Sequence, residues 1–421
     1  MHRNKDGVWD VVVVGGGPAG MMAAGRAAEL GAKVILIEKN DTLGKKLLIT
    51  GGGRCNVTNA EPDVRKFLSK FKNVDKFLFS TFSQFSVIEA LDFFHTHGME
   101  TKEEAFGRVF PLSNTAQSVW DVLLQYLKNG KVTIQSNSPV IGFRTEDNKI
   151  TSVLLKNKSE IKAKSFVLAT GGLSRPETGS TGDGFKWLKE IGHTVTEPTA
   201  SLVPISIKEA WVKRLQGVSL PEVKITVLQN GAKQSIKRGK ILFTHFGLSG
   251  PTILNLSHEI GELLKYGEVK LSLDIVPHLD PGQLNLKLQE IWKEKSNKKF
   301  KNTLDSLVPS AFVPVVVELS GINGDTPSHS ITRESRLALV NLLKDIQVEV
   351  SGLLGTEKAI VTSGGVSLSE IDFKTMSSKL YPNLYLVGDI LDIDRPSGGY
   401  SLQLCWTTGY IAGSSAGKII T

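Results

Sequence analysis

Cysteine is almost missing from this chain of 421 residues, with Cys55 and Cys405 as its only two. Their separation in sequence excludes a disulfide framework and a Cys-x-x-Cys pair, and no metal site is expected. No apolar run approaches the roughly 18 residues of a membrane span. The opening "MHRNKDGVWDVVVVGGG" lacks a signal-peptide core, because its valines run straight into a glycine turn. These absences point to a soluble, cytoplasmic protein without a membrane partner. Low-complexity tracts and internal repeats are absent too, and the 41 glycines gather in short clusters. Acidic residues are scarce where basic ones collect. Between 208 and 240, Lys208, Lys213, Arg214, Lys224, Lys233, Lys237, Arg238 and Lys240 face only Glu209 and Glu222. "KEKSNKKFK" at 293–301 and "RKFLSKFKNVDK" at 65–76 repeat the bias, within a net charge of +8. A solvated surface is the plain reading of such clusters, and a polyanionic partner such as RNA is the functional one.

What is present begins with "WDVVVVGGGPAGMMAAGRAAELGAKVILIEK". A buried strand, a glycine turn, an alanine-rich helix and a second buried strand make a parallel βαβ unit. Residues 61–130 read as mainly helical, with "AFGRVFPLS" as an irregular crossing. From 131 to 168 short alternating runs predict a meander packed on the parallel sheet. Near 196 the texture changes to alternating strands with Asn230-Gly231 as a hairpin turn, which predicts an antiparallel unit to about 278. Residues 281–347 return to helix. "NLYLVGD" is another buried strand, and a last helix carries Gly409, Gly413 and Gly417 at spacing four, one narrow side for close packing. The expected organisation is a nucleotide domain from 1–195 and 363–421, an inserted β-barrel at 196–278 and an inserted helical domain at 279–362.

Gly15, Gly17 and Gly20 form G-x-G-x-x-G between a strand and a helix, and Glu38 ends the next strand 18 residues beyond Gly20. Gly15 permits the tight turn, Gly17 lets backbone approach a pyrophosphate, and Gly20 allows close helix–strand packing. Pro18 and Ala19 start the helix whose N-terminus faces the anion. Glu38, followed by Lys39, accepts from a ribose hydroxyl. Three further features favour FAD over NAD. "ATGG" at 169–172, with Thr170 and Gly171, brings backbone against the nucleotide. "LYLVGD" ends on Gly388-Asp389, placed for a ribityl hydroxyl. "SGGYSLQ", with Gly399, Tyr400 and Ser401, opens a helix whose positive end faces the flavin pyrimidine ring. Val140 completes the expected cofactor set.

At these residues the chain resembles a known family. "GGGRCNVTN", "GRVFP", "TGSTGDG", "FTHFGLSGP", "TSGGVSL", "TMSSKL", "LYLVGDILDID" and "GGYSLQ" are similar, in series over nearly the whole chain, to the BaiN/RdsA family of NAD(P)/FAD-dependent oxidoreductases. The resemblance implies an α/β fold: a glutathione-reductase-type FAD domain interrupted by an antiparallel β-barrel and a small helical domain. It also implies that Gly51, Gly52 and Gly53 pass along the isoalloxazine, with Arg54 and Asn56 as flavin or substrate contacts or as braces of that loop. Departures from the family pattern stand at Asp389, Arg395 and Ser401, where Glu, Gly and Asn are usual.

The activities implied are reduction of a steroid-like enone and reduction of a uridine of large-subunit ribosomal RNA to dihydrouridine. In both, hydride passes from reduced flavin to the β-carbon of an unsaturated carbonyl while an acid protonates the α-carbon. Cys55 is the first expected donor, since a thiol near its usual pKa of about 8.5 stays protonated at neutral pH. His245, in "FTHFGLSG", is the second, and Cys405 is expected in the core. Only one strand–GxGxxG–helix is present, so NAD(P)H is expected to dock transiently and not in a domain of its own. Three readings follow: an FAD-dependent rRNA uridine reductase, a reductase of a small hydrophobic enone, and a flavin-dependent RNA-binding protein without turnover.

Overall fold

A computed structural model describes residues 8–71, 74–355, 357–359 and 361–418. The charged start at 1–7 and Lys72 of the cluster at 65–76 lie outside the described residues. The chain divides into two compact units, residues to Ser201 with those from Ala359, and Leu202–Lys358.

The first unit is built on a parallel sheet in the order Leu384–Leu386, Glu160–Leu168, Val8–Val14, Val34–Ile37, Thr133–Gln135. Val11 to Val14 and Val34 to Ile37 are buried, because helices cover both faces of such a sheet and leave no alternating polar side. The strands Val140–Glu146 and Lys149–Leu155 run antiparallel onto Glu160–Leu168, as the alternating sequence predicts. Helix Pro18–Glu29 lies beneath the last helix, Tyr400–Lys418. A Cβ on Gly409 would stand 2.5 Å from the Ala19 carbonyl oxygen, and one on Gly413 2.4 Å from that of Ala23. The glycine side is therefore the contact. Two segments differ from the sequence reading. "AFGRVFPLS" contributes the strand Arg108–Pro111, the centre of a small sheet with Thr58–Asn59 and Thr101–Glu104. The strand Val195–Ser201 pairs with Val361–Val366 inside the first unit.

The second unit is a closed six-stranded antiparallel barrel. Asn230 and Gly231 both take positive φ, 49° and 79°, which matches a two-residue hairpin turn to the strand twist. The strand Ile346–Leu353, within the range read as helical, closes the barrel between Val269–Asp274 and Ile205–Ile207. Helices Pro281–Glu294 and Arg333–Lys344 share one apolar core with the barrel through Leu284, Leu288, Leu339 and Leu343. A partly buried ion pair, Lys344–Asp274 at 2.7 Å, joins helix to strand.

Candidate functional site

A cavity opens at the carboxyl end of the parallel strands, where the first strand turns into its helix. Gly15 makes that turn at φ 103°, and a Cβ on it would stand 2.5 Å from the Ala169 carbonyl oxygen. Gly20 is closer still, its Cβ position 1.9 Å from the Gly15 oxygen. Gly17 differs: it lines the cavity and its missing Cβ would meet nothing within 4 Å. Two glycines are thus needed for packing and one leaves room for a ligand at a helix N-terminus. Pro18 and Ala19 line the cavity beside it.

At one end, Glu38 is buried and its carboxylate accepts from the backbone N–H of Gly16 at 2.7 Å and of Asn40 at 2.8 Å. These two donors orient it and leave acceptor capacity for a ribose diol. Lys39 pairs with Asp183 at 2.8 Å, and Asn40 donates to the Thr178 carbonyl at 3.0 Å. "TGSTGDG" therefore supplies part of the cavity wall. Val140, Thr170 and Gly171 line the same space. Thr170 Oγ1 is buried without a protein partner, an unspent hydroxyl for a ligand.

At the other end stand Lys46, Thr50, Gly388, Asp389, Ser401 and Cys405. Asp389 is largely buried between two cations, Arg395 and Lys46, the latter 3.2 Å away. Burial would raise its carboxyl, but the charges of Arg395 and Lys46 outweigh that and hold it below the usual carboxylate range. Arg395, with a fully buried side chain, also donates to the Ile393 carbonyl at 2.6 Å and to Ser401 Oγ at 3.1 Å. Ser401 is the second residue of the last helix. The three departures from the family pattern are thus one hydrogen-bonded chain. A glycine tight turn, an oriented carboxylate at one end and a helix N-terminus with paired charges at the other fit an adenine dinucleotide carrying a flavin.

The HI0933-like protein Rossmann domain profile matches residues 9–415. The chain belongs to this family. It is 32% identical over 407 residues to the ribosomal RNA dihydrouridine synthase of Escherichia coli (strain K12), covering 96% of each chain. It is 30% identical over 413 residues to the 3-dehydro-bile acid delta(4,6)-reductase of Clostridium scindens, covering 96% of this chain and 98% of that one. In fold it is similar to the 3-ketosteroid delta1-dehydrogenase of Sterolibacterium denitrificans, with a TM-score of 0.56 at 14% identity over 98% of this chain and 100% of that one. This HI0933-like protein is an oxidoreductase with a Rossmann-type FAD-binding domain.

Several expected site residues of the HI0933-like chain stand elsewhere. Gly52 and Gly53, at φ 69° and 86°, carry the chain past Thr50 but are not part of the cavity wall. Arg54 braces this loop: it pairs with Glu104, donates to Asn114 Oδ1 at 2.6 Å and lies 4.1 Å over the Phe110 ring. Gly399 is needed against Thr58, whose carbonyl carbon would lie 2.3 Å from a Cβ, and Tyr400 packs on Phe67. Cys55 is fully buried in the core and lines no part of the cavity. Burial pushes its thiol up to about 12, against a weaker opposing hydrogen bond from Thr50. A donor must reach the reacting carbon, and Cys55 shows no open face toward this cavity. His245 is exposed in the second unit, its ring edge-on to Phe246. Cys405 is buried in the core, as expected, and also borders the cavity, its thiol pushed up to about 12 by burial and by Asp389. Lys46 and Thr50 had no motif of their own in sequence. What places them is the turn between Gly44 and Arg54, which periodicity does not describe.

Proposed function

We propose that the protein reduces a conjugated C=C bond, a uridine of large-subunit ribosomal RNA becoming dihydrouridine, with NAD(P)H as the source of electrons. Bound FAD would supply the hydride chemistry. The chain's own residues hold it: Glu38 the ribose, the Gly17 turn the pyrophosphate, and Asp389 and Ser401 the far end. The observation that carries RNA over a small enone is the outer surface of the barrel. Lys224, Lys233, Lys237 and Lys240 are exposed there and make no ion pair among the described residues, whereas Arg238 is neutralised by Glu222 at 2.9 Å. Lys224 stands between Arg238 on one neighbouring strand and Asp274 on the other, and Asp274 is already paired with Lys344. A small enone needs no such face; phosphates do.

Mapping dihydrouridine in large-subunit ribosomal RNA, with and without the gene, tests this. A modified site should vanish on deletion and return with the wild-type protein. If every dihydrouridine persists, the RNA reading falls and unsaturated steroid-like carbonyls become the substrates to assay, as the likeness to the bile-acid reductase favours. RNA binding by a flavoprotein that NAD(P)H never reduces would instead support binding without turnover.

A further inference from the structure

The turn at 105–107 presents Phe106 to solvent with 76% of its surface exposed. Its φ of 66° is one that bulky residues adopt at a cost on the order of 1 kcal/mol. The tip is held on all sides. Asn59 Nδ2 donates to the Phe106 carbonyl at 3.0 Å, and Ala60 N–H donates to that of Gly107 at 2.7 Å. Arg108 Nε closes the turn on the Ala105 carbonyl at 3.1 Å. The strand ladder pairs Arg108 with both Asn59 and Glu104.

This tip is tied at two points to segments that continue into the cavity wall, at Thr50 and at Ser401. Arg54, which follows the triple glycine, pairs with Glu104. Asn59 Nδ2 also reaches the Gly398 carbonyl at 3.3 Å, three residues before Ser401. Arg54 is consumed by its partners, but Arg108 makes no ion pair among the described residues. An exposed aromatic ring on a hydrogen-bonded turn, with a guanidinium two residues away, has the chemistry that receives a splayed-out base and its phosphate. A steroid-like enone would call for a concave apolar wall instead.

We propose that Phe106 is a stacking platform for an unpaired base of the RNA substrate, with Arg108 contacting the adjoining phosphate; this rests on the RNA reading above. A uridine within a structured RNA must leave its stack to be reduced, and an exposed aromatic face offsets that loss. The backbone that carries the ring is already tied down by hydrogen bonds, so the loop itself loses little conformational entropy on contact.

The test uses FAD-loaded protein and a labelled single-stranded uridine-containing oligoribonucleotide. Phe106→Leu keeps the bulk and loses the π face, and should weaken binding about tenfold. Phe106→Trp should bind at least as well as wild type. Arg108→Ala should weaken binding and lower the salt slope by about one. Bound-flavin absorbance reports that each variant is folded. The platform is overturned if Phe106→Leu binds as wild type does, or if Phe106→Trp fails alongside it. Should Phe106→Leu bind normally while the wild-type gene restores dihydrouridine, the functional reading stands without the platform. If wild type neither binds RNA nor restores dihydrouridine, both fall.

Discussion

Cys55 shows how a residue's surroundings decide its chemistry. The same thiol that is a fair acid in water becomes inert when fully buried with its pKa pushed up to about 12. Cys55→Ser is therefore expected to keep uridine reduction near the wild-type rate while costing about 1–2 kcal/mol of stability. A rate assay beside denaturant melts checks both, and abolished turnover in a folded variant would return the thiol to the mechanism. Asp389 is the opposite case, an ionised carboxyl kept so by Arg395 and Lys46. Its folded pKa lies below its unfolded value, so the folded state binds fewer protons as pH falls. The stability it contributes is present above roughly pH 4 and is lost as pH drops through the lower, folded value. Arg395→Met should cost about 3–5 kcal/mol by stranding that carboxylate beside Lys46 alone. It should also blunt the acid-side fall of stability, read by denaturation at a series of pH values, and weaken FAD binding.

At the scale of elements, the last helix is held on the first by the absence of side chains. Gly413 faces the Ala23 carbonyl so closely that any Cβ displaces one helix from the other. Gly413→Val is expected to cost about 3 kcal/mol or more, since overpacking cannot relax into backbone. The shift is transmitted along Tyr400–Lys418 to Ser401, so flavin retention should fall as well. Purification with loss of bound flavin, alongside a lowered Tm, is the measurement. A variant with wild-type Tm would show that the two helices do not depend on this contact.

For the whole molecule, the barrel unit has the form of an insertion. Ile205 pairs with Leu353, so the chain leaves and re-enters close together, and the unit carries its own apolar core. Residues 202–358 expressed alone should fold cooperatively, seen as a single sharp denaturation transition. The fragment should also bind RNA, more weakly and with strong salt dependence, if the lysines of the barrel surface are contacts. A fragment that stays unfolded would mean the unit needs the rest of the chain.

The nucleotide half was largely legible in the sequence, because its signals are local. Four valines before a glycine turn, Glu38 after a second strand, and Asn230-Gly231 between alternating runs each specify backbone within a few residues. The last helix's glycine spacing was equally readable, since a period of four is a property of the helix itself. Tertiary structure alone decided the rest. Nothing local says that Ile346–Leu353 closes the barrel, because barrel closure is a pairing of strands far apart in sequence. Nothing local says that Arg395 meets Asp389 and Ser401, or that Lys46 joins them. And one side of a loop became core at Cys55 while one side of a helix became cavity wall at Cys405. Burial depends on what packs from elsewhere in the chain, and burial determines which thiol, carboxylate or ring is available for chemistry.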